Sequence, residues 1–141
     1  MDQMDPSAQA LLDAVEAALP GWVETSVTRH LGAGGAEAAR EAGERARRDL
    51  LPRLRHLLAA DVDAQRTTPL AILRDAMRYP TEVLRGAGVA PARRDDWERE
   101  RFPDDDYGLT PVAFADFGPE VAEAGLRWGA GKAWAHKERH R

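Results

Sequence analysis

The chain has 141 residues and a formal net charge of −4. That is the length of a single ordinary domain, able to bury a core without disulfide or metal staples. It has no cysteine, which excludes disulfides, thiolate metal sites and cysteine nucleophiles and suits a reducing cytoplasm. The acidic balance opposes generic polyanion binding but leaves room for a local basic face. No stretch approaches the roughly 20 apolar residues of a membrane span. The opening MDQMDPSAQ is acidic where a secretory signal is basic. The expectation is a cytoplasmic protein without a membrane segment.

In chain order, Asp5-Pro6-Ser7 predicts a capped helix start. Leu11, Leu12, Val15, Ala18 and Leu19 form its stripe, and Pro20-Gly21 is read as closing it, giving a helix over 6–19. From Trp22 to Leu31 a helical spacing (Val23, Val27, Leu31) competes with a strand-like alternation. Helix over 21–31 is the preferred assignment, because a lone strand has nothing to pair with. The longest periodic run follows. Ala39, Ala42, Gly43 and Ala46 lead into Leu50, Leu54, Leu57 and Leu58, which predicts a helix over 35–60 bent at Pro52. The stretch 59–68 loses the period and is read as a connector.

Thr68-Pro69 predicts a helix over 69–78, ended by the extended preference of Tyr79 before Pro80. Short helices are then expected over 80–87, 91–101 and 111–117, each opened by a proline. A last helix is expected over 119–136, and 136–141 is read as a frayed basic tail. The fold class is therefore all-α: one multi-helix domain over 1–141, with a long kinked central helix and several short Pro-initiated ones. Two phrases in the second half, DVDAQRTTPLAILRDAMRYPTEVLRGAGV (61–89) and FPDDDYGLTPVAFADF (102–117), resemble small uncharacterised conserved proteins of high-GC Gram-positive bacteria. The resemblance implies a bacterial host and a cytoplasmic location, and it carries no activity or site.

Several constellations invite chemistry. His136 and His140 share helical spacing, but a zinc site needs three or four protein ligands, and the other two histidines are His30 and His56. Asp104, Asp105 and Asp106 lack the spread of oxygen ligands of a calcium loop and are read as a solvated turn. Asp61 and Asp63, beside Gln65 and Arg66, could serve as paired carboxylates, though connector carboxylates more often cap helices. Ser7 and Ser26 sit on no nucleophile elbow, and Gly34-Gly35 lacks the lysine of a phosphate loop. No cofactor, metal or catalytic residue is assigned.

Two surfaces remain. Arg40, Arg47, Arg48 and Arg55 form rows along the long helix with heptad spacing, a candidate phosphate-contacting face. The alternative is a solvated face neutralised by interspersed glutamates and by the acidic stretch 95–106. Four tryptophans (Trp22, Trp97, Trp128 and Trp134) are candidate anchors of a core or a protein interface. The preferred function is a non-catalytic adaptor or regulator working through contacts with a protein partner or another copy of itself. A nucleic-acid-associated regulator stands second, and a small enzyme using connector carboxylates third.

Overall fold

The computed structural model describes residues 4–60 and 68–139. Among them the elements are helix α1 (Pro6–Leu31), a 3-10 turn (Gly32–Gly35), α2 (Ala36–Ala59), α3 (Thr68–Arg74), a 3-10 turn (Asp75–Met77), α4 (Arg78–Gly86), α5 (Asp96–Arg101), a 3-10 turn (Phe114–Phe117) and α6 (Pro119–Arg139). The fold is all-α.

Helix α1 starts as its sequence dictates. Pro6 occupies the first helical position and the Asp5 carboxylate accepts from the Ser7 amide at 3.1 Å, satisfying one of the orphan donors. It does not stop at Pro20. The expected break after residue 19 is absent, because the apolar stripe continues past it through Val23 and Val27, both fully buried. Burying these offsets the single backbone bond that Pro20 cannot donate. The strand-prone stretch is helical, as preferred. Its hydroxyls turn back onto the helix: Ser26 Oγ donates to Trp22 O at 2.9 Å and Thr28 Oγ1 to Glu24 O at 2.5 Å. Gly32, with φ of 70°, ends it in the left-handed conformation that glycine adopts without penalty.

The 3-10 turn reverses the chain, and α2 returns antiparallel to α1. Arg47 on α2 lies opposite Glu16 at 3.7 Å, and Gly43 lies opposite Pro20. Helix α2 is kinked and not broken, its helical backbone running on through Pro52 to Ala59. Its buried stripe is Ala39, Ala42, Gly43, Ala46, Leu50, Leu54 and Leu58, small at one end and large at the other. Against this hairpin pack α3 on α2, α4 on both α1 and α2, and α6 on α1. Leu70, Leu73, Tyr79, Phe117, Val121 and Trp128 complete one core with the hairpin leucines and valines.

The second half departs from expectation in four places. Tyr79 is helical, and Pro80 lies in the first turn of α4, where its missing N–H has no helical partner to lose. The 3-10 turn over Asp75–Met77 re-phases the chain so that α3 and α4 abut without an extended residue between them. The helix expected over 91–101 forms only from Asp96, because Asp95 caps it by accepting from the Glu98 amide at 2.8 Å. The segment expected over 111–117 is a 3-10 turn over Phe114–Phe117, pinned by Asp116, whose carboxylate accepts from the amides of Val112 and Ala113 at 2.8 Å each. Finally, α6 continues to Arg139, so residues 136–139 of the supposed tail are helical.

Gly43 carries a testable cost. A Cβ there would sit 2.8 Å from Pro20 O and 3.2 Å from Pro20 Cα, both backbone atoms that cannot swing aside. Gly43→Ala is therefore expected to destabilise by about 1–3 kcal/mol in urea unfolding, despite gaining about 1 kcal/mol in helix propensity. Gly21→Ala, one residue past Pro20 with nothing within 4 Å of its added carbon, is expected to raise stability by about 0.5–1 kcal/mol. Equal responses at the two sites would refute the close crossing.

Candidate functional site

The four tryptophans divide into two pairs. Trp22 is half-buried on α1, its ring 5.3 Å from that of Phe117 and tilted by 46°. Trp128 is 4 % exposed in the core, and its indole N–H has no acceptor among the described residues. Trp128 is a core anchor, while Trp22 packs against the core and also lines a crevice between α1 and the 108–118 segment. Trp97 on α5 is 60 % exposed beneath the Arg101 guanidinium, 5.2 Å from the ring centre. Trp134 on α6 is 67 % exposed, and Leu126, two turns earlier on the same helix, is 74 % exposed. Leu126 is an exposed apolar residue that periodicity alone did not single out. It projects from the side of α6 opposite Val121 and Trp128. Val112, 57 % exposed, is the remaining large apolar residue at the surface.

Of the arginine rows only Arg47 is ion-paired among the described residues, and two neighbouring arginines on α2 are paired as well. Arg47 bonds Glu44 at 3.0 Å and faces Glu16, Arg53 bonds Asp75 at 2.8 Å, and Arg45 lies 3.6 Å from Glu82. The acidic stretch 95–106 is not their partner. It pairs with its own arginines instead: Arg99 with Asp96, Arg94 with Glu98 and Asp105, and Arg85 with Asp106. Arg48 and Arg55 stand exposed beside a shallow crevice of about 310 Å³ that also touches Leu12, Leu51 and Pro52. Arg40 is exposed farther along α2.

Asp105 is the clearest correction to the reading of its turn as solvated. It is 1 % exposed. Its carboxylate accepts from the amides of Leu109 and Thr110 and from the Thr110 hydroxyl, each at 2.7 Å. The Arg94 guanidinium lies 3.8 Å away and donates to the carbonyls of Phe102, Glu98 and Asp105. A buried carboxylate is tolerated only when bonded and paired in this way, and removing one partner of such a pair costs about 3–5 kcal/mol. The arrangement staples the irregular segment between α4 and α6.

A larger crevice of about 660 Å³ runs between α1 and the 108–118 segment, past Trp22, Thr25, Arg29 and Phe117. A second, of about 460 Å³, lies over α4. In the second, Arg53 is paired with Asp75 and Arg78 with Glu82 at 3.5 Å, so opposite charges cancel across it. Among the described residues no group of three or more His, Cys, Asp or Glu side chains is placed to hold a metal ion, and no helix is long and apolar enough to cross a membrane. The carboxylates of 61–66, the His136 side chain and His140 lie outside what is described.

Tyr79 floors the second crevice and ties α4 to α2, its hydroxyl donating to the Asp49 carboxylate at 2.8 Å with Arg45 and Arg78 near its ring. Burial, and then the Asp49 hydrogen bond and charge, push the phenol from its ordinary 10.0 up to about 12. The raised value makes the protonated form part of what stabilises the fold. Its contribution is complete below about pH 10, where the unfolded phenol titrates, and is lost as pH climbs towards about 12. The stability gap between the native protein and Tyr79→Phe, read from urea midpoints, is expected to be flat up to pH 10 and to narrow above it. A gap unchanged at pH 12 would contradict the Asp49 contact.

No protein-family model, curated protein or solved structure matches the chain.

Proposed function

We propose that the chain is a non-catalytic adaptor or regulator that acts through contact with another polypeptide, and that α6 presents the contact surface. One observation carries this. Leu126 and Trp134 stand 74 % and 67 % exposed on the outer side of a helix whose inner side is already committed to the core. Large apolar side chains left in water at helical spacing lose the transfer energy of burial, roughly 1.5–3 kcal/mol each. A tryptophan recovers it best in the desolvated centre of an interface. Trp97, on its arginine-flanked helix, is the natural second contact. The cysteine-free composition suits a cytoplasmic setting, and the resemblance of residues 61–117 favours a bacterial one.

A photo-crosslinking residue placed at Trp134 tests the proposal directly. Expressed in cells and irradiated, it should give discrete covalent adducts with a polypeptide. The same residue at Glu37, exposed on α2, should give none. Identical patterns from both positions would overturn the assignment of the surface.

A second reading is kept for the arginines, because Arg40, Arg48 and Arg55 are exposed on α2. With Arg47 ion-paired and the whole molecule at −4, affinity for duplex DNA at physiological salt is expected to be weaker than about 10⁻⁴ M. Sub-micromolar binding by fluorescence anisotropy with a log–log salt slope near −3, the signature of about three neutralised phosphates, and abolished by Arg47→Glu, Arg48→Glu and Arg55→Glu together, would replace the protein-contact proposal.

A further inference from the structure

Helix α6 is apolar on two opposite faces, where an ordinary surface helix is apolar on one. The inner face, Val121, Ala124 and Trp128, is buried against α1 and the Phe114–Phe117 turn. On the outer face Glu123, Leu126, Ala130, Trp134 and Lys137 are all exposed. At 3.6 residues per turn they fall within an arc of about 80°. Their spacing is three, four, four, three, and it reads the same in either direction about Ala130.

A row with that symmetry meets an antiparallel copy of itself in register. Ala130 faces Ala130 at the crossing, where small side chains let the helices approach. Leu126 faces Trp134 of the second copy on either side, and at both ends Glu123, which also accepts from the exposed Arg127 of its own helix at 2.6 Å, faces Lys137. The parallel alternative sets Glu123 on Glu123 and Lys137 on Lys137, placing like charges together at every charged position, which is unfavourable. Charge therefore selects the antiparallel pairing as well as permitting it.

A second observation points the same way. Beyond Trp128 no described residue of α6 is buried, although the helix continues to Arg139 and contains Gly129 and Gly131. Uncovered helices shorter than about 12–15 residues are marginal in water, and each interior glycine costs about 1 kcal/mol relative to alanine. A helix laid along this stretch would add to the partial cover that Gly129, Lys132 and Ala133 have among the described residues.

We propose that two copies of this chain pair through α6, antiparallel about a two-fold axis at Ala130. The proposal rests on the protein-contact function above and names the partner as a second copy. One helix pair makes a small interface, below about 1,200 Å², so the dimer is a reversible one with a dissociation constant on the order of 10⁻⁶ to 10⁻⁵ M.

Sedimentation equilibrium on the full chain, from about 1 to about 200 µM, tests it. The mass should climb from 15.5 kDa towards twice that value. Because each Glu123–Lys137 pair occurs twice by symmetry, E123K alone or K137E alone should weaken the dimer roughly tenfold. The double variant E123K/K137E should return to within about twofold of the native affinity. Trp134→Ala should leave a monomer. All these positions are exposed, and an unchanged helical circular dichroism spectrum checks that the fold is intact. A mass of 15.5 kDa at every concentration overturns the proposal, as does a dimer indifferent to the charge swaps. A monomer that nonetheless crosslinks through position 134 to a different polypeptide removes self-pairing while leaving the protein-contact function standing.

Discussion

The rest of the fold depends on how closely α1 and α2 approach where Pro20 lies over Gly43. A proline in a helix interior costs about 3 kcal/mol relative to alanine when nothing compensates it, and here it sits in the longest helix of the molecule. Compensation comes from the partner helix. With no side chain at Gly43 and alanines at 39, 42 and 46, α2 comes near enough for backbone to meet backbone, and Val23 and Val27 beyond the proline are sealed from water. The stripe then widens to Leu50, Leu54 and Leu58. The hairpin is thus narrow near its turn and broad at its open end, and α3 attaches through Leu70 and Leu73 to the broad part.

The segment between α4 and α6 solves a different problem. It is irregular over most of its length and has no disulfide to hold it. Backbone groups in such a segment still need partners when buried. Arg94 and Asp105 supply them, the first donating to three carbonyls and the second accepting from two amides and a hydroxyl. Tyr107, donating to Val89 O at 2.9 Å, closes the same loop onto α4. A buried ion pair of this kind specifies one conformation more than it adds net stability. That is what a connector carrying Phe114 and Phe117 into the core requires, and Phe114 lies so close over Gly125 that an added Cβ there would be 2.4 Å from its ring.

How much of this could be read from residues follows from where the deciding contacts lie. The cap at Asp5, the taper of α2 and the all-α class depend on neighbours within a turn or two, and periodicity exposes them. Pro20 and Pro80 misled because a proline's local cost was weighed without the tertiary burial or 3-10 re-phasing that offsets it. Asp105 was hidden for a related reason. Three adjacent aspartates look solvated, and only the fold turns the middle one inward while Asp106 reaches Arg85. On α6 the apolar residues were visible, but they are too many for one face. Their division into an inner row and an outer row becomes clear only once Trp128 is seen to be buried and Trp134 exposed.

That division also explains why function is sought on a helix surface and not in a crevice. A group can act on a ligand only if its own bonding is not already spent on the fold. Along the crevice beside α1, the Ser26 hydroxyl is committed to Trp22 O, the Thr110 hydroxyl to Asp105 and the Asp116 carboxylate to two backbone amides. Over α4, Arg53 is committed to Asp75, Arg78 to Glu82 and Arg85 to Asp106. These polar groups hold turns and helices in place, and diverting any of them to a ligand would undo a contact that positions the chain. Leu126 and Trp134 carry no such commitment. Their burial against a partner would release ordered water and strain nothing already built.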